Sequence, residues 1–83
     1  MKGSDPVSVT EDQIAAIVTE VASQARVTAA DYDKPLKDLG VDSLDIAGIF
    51  LAIYEQLDVR VPDPEIDRLN TIRLIVNYLN NSR

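Results

Sequence analysis

The sequence has no cysteine, no histidine and no tryptophan, and its aromatic residues are Phe50, Tyr32, Tyr54 and Tyr78. Without cysteine there is no disulfide and no thiolate nucleophile. Without histidine as well, the usual zinc ligand sets and the imidazole general base are gone, so neither a metal site nor histidine-based catalysis is expected. So few rings leave little surface on which bases or sugars stack. Cations are scarce too. The chain has 8 Lys and Arg against 14 Asp and Glu, a formal charge of −6, the wrong sign for reading a phosphate backbone. Long apolar runs are also missing. The longest, Ile49 to Tyr54, falls far short of the roughly 20 residues that span a bilayer. The opening Met1-Lys2-Gly3-Ser4-Asp5-Pro6 lacks the apolar stretch of a secretory signal. Nucleic-acid and membrane partners are therefore not expected, and a cytoplasmic location is.

What remains is a chain of 83 residues with 46% hydrophobic content. That is enough for one folded domain with a thin core, and too apolar for a disordered acidic tail. Residues 1–9 carry Gly3 and Pro6 without a sustained period and read as a flexible lead-in, residues 10–80 as the domain, and residues 81–83 as its C-terminal end. Thr10 and Gln13 have the spacing of a capping box. Ile14, Ile17, Val18, Val21 and Ala25 follow at helical intervals, which predicts a first helix from Glu11 to about Ala25. Over residues 26–42 the period lapses. Pro35 and Gly40 punctuate this loop, and Leu36 and Leu39 are the expected pins to the core.

The second helix opens at Asp42-Ser43 and runs to about Leu57. Its main stripe is Ile46, Ile49, Phe50, Ile53 and Leu57. Leu44, Ala47 and Leu51 form another apolar line beside it. A helix in so small a domain cannot bury both, so the second line is expected to stay partly exposed, as a docking surface does. Asp63 as N-cap with Pro64 behind it marks a short helix to about Arg68. Asn70 or Thr71 then caps a last helix bearing Ile72, Ile75, Val76 and Leu79. The fold class that follows is all-α: a small bundle of three longer helices and one short one.

Asp63, Glu65 and Asp67 alternate like the start of a calcium loop. Arg68 stands where the turn glycine belongs and Leu74 where the bidentate glutamate belongs, so helix capping is the better account. Asp42 and Asp45 lie at a helix start, where the macrodipole favours them as anions, the opposite of what a general acid needs. Ser43, taken alone, is a capping residue. No histidine base or following Ser-x-x-Lys activates it as a nucleophile.

Its surroundings change that reading. Asp38-Leu39-Gly40-Val41-Asp42-Ser43-Leu44-Asp45, with the apolar helix behind it and Val61-Pro62-Asp63 after it, resembles the acyl carrier protein family over about residues 10–80. The resemblance implies a carrier and not an enzyme. Ser43 would bear a 4′-phosphopantetheine arm derived from coenzyme A, with Asp42 and Leu44 completing the attachment motif. The arm's thiol would hold acyl groups as thioesters. Implied partners are a phosphopantetheinyl transferase, an acyl-loading ligase or acyltransferase, and a ketosynthase or other chain-processing enzymes of fatty-acid, polyketide or specialised lipid biosynthesis. The carrier would act as a monomer. A phosphodiester on Ser43 also makes physical sense, because a helix N-terminus favours an anion.

On this reading Leu44, Ala47, Leu51 and Glu55 form the partner surface. Ile49, Phe50, Ile53, Leu57, Ile66, Leu69, Ile72 and Ile75 line an interior that packs as a core and shelters an acyl chain if it opens. Gly48 and Tyr54 depart from the family, standing where fatty-acid carriers commonly have acids, and Arg60 adds a positive charge. These departures point to a specialised carrier. The alternatives are an aminoacyl or peptidyl carrier, and a helical interaction module without a prosthetic group.

Overall fold

A computed structural model describes residues 9–81. The elements run α1 (Glu11–Val21), two 3-10 turns (Ala29–Asp31 and Leu36–Leu39), α2 (Ser43–Leu57), α3 (Asp63–Ile66) and α4 (Ile72–Asn81). Three longer helices and a one-turn helix, with no strand among the described residues, give the all-α bundle that the periodicities imply. The rest of the expected lead-in and the end beyond Asn81 lie outside the described residues. Val9 is buried, and it donates its N–H to Asn80 Oδ1 (2.8 Å) while its carbonyl accepts from Asn80 Nδ2 (3.0 Å).

The α1 start follows the sequence closely. Thr10 Oγ1 accepts from the Gln13 N–H, and Gln13 Oε1 accepts from the Thr10 N–H, closing the capping box. Ile14, Ile17 and Val18 are buried on the inner face. The helix ends at Val21, four residues before the expected Ala25. Ala25 is buried as its spacing implies, but in a turn, with its N–H bonded to Ala22 O at 2.9 Å. There the chain turns to pass beneath Gly40, whose missing side chain would stand 3.8 Å from Ala25 Cα.

Leu36 and Leu39 pin the long loop as expected, both being buried. The loop is also sewn to the α4 start through Leu36 N–H to Asn70 O (2.8 Å) and Arg73 N–H to Tyr32 O (3.0 Å). Thr71 caps α4 by accepting from the Leu74 N–H at 3.1 Å. α3 is shorter than predicted. Pro62 precedes it, Asp63 is its first helical residue and not its cap, and no side chain caps it. Asp67 and Arg68 form a turn beyond it.

Among the described residues, eighteen buried apolar side chains form one cluster. Ile49, Ile53, Ile72 and Ile75 are fully buried in it, with Phe50 and Leu69 almost so. Leu57 and Ile66 differ from expectation, as both are only half-buried. Leu57 is the last residue of α2 and Ile66 the last of α3, and each packs against the cluster from its margin.

Candidate functional site

Residues 36–45 build a rigid presentation of one serine. The 3-10 turn over Leu36–Leu39 ends in Gly40 at φ 93°, a left-handed conformation that glycine adopts without strain. The Val41 N–H bonds to Leu36 O (3.2 Å), and Leu36, Leu39 and Val41 are all buried. The turn is thus nailed to the core on one side and delivers Asp42 and Ser43 to the surface on the other.

Asp42, not Ser43, is the cap of α2. Its Oδ1 accepts from the Asp45 N–H at 2.9 Å, and Asp45 Oδ2 accepts from the Asp42 N–H at 3.4 Å. Ser43 therefore stands at the first helical position, exposed and relieved of any capping duty. The first N–H groups of a helix have no intrahelical acceptor, so the Ser43 hydroxyl lies where the backbone favours negative charge.

One contributor gave no signal in the sequence. Gln24, in the turn after α1, donates from Nε2 to Asp45 Oδ2 (2.7 Å) and to Gly40 O (3.0 Å). It ties the α1 end to both sides of the serine. A polar residue in a loop has no period from which such a role can be read.

A cavity of about 330 Å³ opens beside Ser43, bounded by Ile46, Ala47, Asp63, Ile66 and Asp67. A second, of about 320 Å³, continues along the seam between α2 and α3, and Ala47, Asp63 and Ile66 border both. Its far end is formed by Tyr54 and Arg60, with the Arg60 guanidinium 5.5 Å from the centre of the Tyr54 ring. Of the residues proposed to shelter an acyl chain, Ile66 and Phe50 border this seam. Leu57 borders a different cavity, between α1 and the end of α2.

Leu44, Ala47, Leu51 and Glu55 are all exposed. Their spacing places them on one face of α2, with Leu44 84% and Leu51 57% accessible. Asp45 is half-buried and engaged in the capping box. Gly48, which stands where fatty-acid carriers commonly have an acid, is half-buried. A β-carbon there would stand 2.9 Å from Val21 Cγ1, so the position is set by the packing of α1 on α2.

The chain matches the family described as "Phosphopantetheine attachment site" over residues 15–79. It is 35% identical over 72 residues to the acyl carrier protein of Campylobacter jejuni subsp. jejuni, covering 87% of this chain and 94% of the relative. The acyl carrier protein of Campylobacter fetus subsp. fetus is 35% identical over 68 residues, 82% of this chain and 88% of that one. That of Buchnera aphidicola subsp. Schizaphis graminum is 41% identical over 46 residues, 55% and 58% of the two chains.

Proposed function

Because the chain belongs to the acyl carrier protein family, whose members are carriers of 4′-phosphopantetheine and not enzymes, we propose that Ser43 is the residue that bears the arm. The observation that carries this reading is the exposed hydroxyl at the first position of α2, with Asp42 taking the cap and an open cavity alongside. The arm's thiol supplies the thioester chemistry. The protein's own residues hold the attachment point still, offer unpaired N–H groups to the phosphate, and line the seam with apolar side chains. Asp42 and Leu44 flank the serine as the rest of the motif.

The carrier domain spans residues 10–80 and works as a cytoplasmic monomer. A phosphopantetheinyl transferase modifies it, a ligase or acyltransferase loads it, and a ketosynthase or another chain-processing enzyme unloads it. Leu44, Ala47, Leu51 and Glu55 form the face these enzymes meet. The apolar character of that face favours a specialised route of polyketide or lipid assembly over housekeeping fatty-acid synthesis. Aminoacyl cargo would give the same attachment and is distinguished at the loading step.

Incubation with coenzyme A and a broad-specificity transferase, read by intact mass, tests the assignment. Wild type should gain one phosphopantetheine and Ser43→Ala none. Since Asp42 is the cap, the substitution removes no capping bond, and alanine's helix propensity exceeds serine's by up to about 0.5 kcal/mol. Helical circular dichroism should therefore be unchanged. Modification that persists in Ser43→Ala refutes the reading.

A further inference from the structure

We propose that Arg60, held against Tyr54 at the far end of the α2–α3 seam, receives a carboxylate at the end of the acyl group, so that the cargo is a short acyl chain with an acidic terminus. This rests on attachment at Ser43. The two cavities share Ala47, Asp63 and Ile66, so they lie next to each other along the seam, one bordered by Ser43 and the other by Arg60. Tyr54 lies about three turns along α2 from Ser43, roughly 16 Å at the rise of an α-helix, within the combined reach of a bent arm and a short acyl group.

The charge pattern of the seam is uneven. Its serine end has the carboxylates Asp63 and Asp67, acceptors suited to the amide N–H groups of a pantetheine chain. Asp63 reaches the second cavity too, and among the described residues Arg60 is the one cation bordering either. Among the described residues the guanidinium forms no ion pair, although Lys34 and Arg73 both do. It lies over the Tyr54 ring instead, 5.5 Å from its centre, a cation–π contact that consumes none of its N–H donors. A carboxylate matches that fork with two parallel hydrogen bonds. Asp63 borders both cavities, but Asp67 borders only the one at Ser43 and Arg60 only the other, so an anion is better placed at the Arg60 end than beside Ser43. Phe50, Leu51 and Val61 supply the apolar wall for the methylenes between.

The test loads Ser43 enzymatically with glutaryl- or pentanoyl-pantetheine, two chains of equal length that differ in the terminal carboxylate, and confirms each by intact mass. The Arg60 Nε–H resonance should move with glutaryl and stay with pentanoyl. Hydroxylamine should cleave the glutaryl thioester more slowly by about two- to fivefold, the range an exposed ion pair supports. Arg60→Gln, an exposed loop substitution, should equalise the two. Failure to load either chain on the wild type overturns the attachment reading itself. Successful loading with identical resonances and rates overturns the Arg60 site alone. Equal rates in the wild type, with Arg60→Gln weakening only capture by a processing enzyme, assign the guanidinium to a protein partner and overturn it as well.

Discussion

A β-carbon at Gly48 would approach Val21 Cγ1 to 2.9 Å, closer than packed side chains tolerate, and this fixes how near α1 sits to α2. Replacing glycine by alanine inside a helix normally gains about 1 kcal/mol. Here Val21 is β-branched and stiff about χ1, so relief requires shifting the helix, and overpacking of this kind costs about 1–3 kcal/mol. Gly48→Ala should therefore lower stability by up to about 2 kcal/mol in urea unfolding, while Gly48→Ala introduced on a Val21→Ala background should raise it. A stabilising Gly48→Ala in the wild type would show that α1 moves aside freely. The sequence shows Gly48 only as a departure from the family, and its neighbour across the helix pair supplies the reason. Gln24 is the opposite case: its two hydrogen bonds to the attachment segment span 16 and 21 residues, and nothing local announces them.

At the scale of elements, periodic segments were legible and their ends less so. α1, α2 and α4 follow their apolar spacing, and Thr10 and Thr71 cap where their side chains imply. α1 stops at Val21, yet Ala22 and Ala25 are buried in the turn that follows, and an apolar pattern does not distinguish burial by a turn from burial by a helix. The loop over residues 26–42 is ordered by contacts that lack a period. The Asp31 carboxylate accepts from the Thr28 N–H (3.0 Å) and hydroxyl (3.0 Å) and pairs with Lys34 (3.0 Å). The backbone bond first, then Lys34, hold its pKa below the ordinary 3.8. Tyr32 donates its hydroxyl to Asp12 (2.5 Å), and this bond with the carboxylate raises the phenol above the ordinary 10.0.

The two shifts act at opposite ends of the pH range. Asp31 stabilises the loop above its ordinary pKa, and that contribution is lost as pH falls through the lowered value. Tyr32 contributes fully below pH 10.0, and its share is lost as pH rises through the raised value. Asp31→Asn should therefore flatten the loss of melting temperature below about pH 4, and Tyr32→Phe the loss above about pH 10. Unchanged limbs in both variants would show that the loop does not unfold with the domain.

Over the whole molecule the charge of −6 is not spread evenly, and this bears on how partners are recognised. Asp45 is committed to the α2 cap and to Gln24, which leaves Glu55 as the free acid on the face carrying Leu44, Ala47 and Leu51. Arg60, over the Tyr54 ring, adds a positive charge beyond the end of α2. Leu51 exposes 57% of its surface, apolar area that gains by burial against an enzyme. Truncating an anchor of this kind typically costs more than about 1 kcal/mol of binding, whereas neutralising a rim charge mainly slows association and alters its salt dependence. In titrations against a phosphopantetheinyl transferase, Leu51→Ala should thus weaken binding more than Glu55→Gln. Raising salt from 0.05 to about 0.3 M should weaken the wild type only a few-fold, because screening at that strength acts within a few ångströms on a face that is nearly neutral. A larger loss for Glu55→Gln, together with affinity that collapses in salt, would place recognition in the acidic surface as a whole and remove the apolar ridge from its centre.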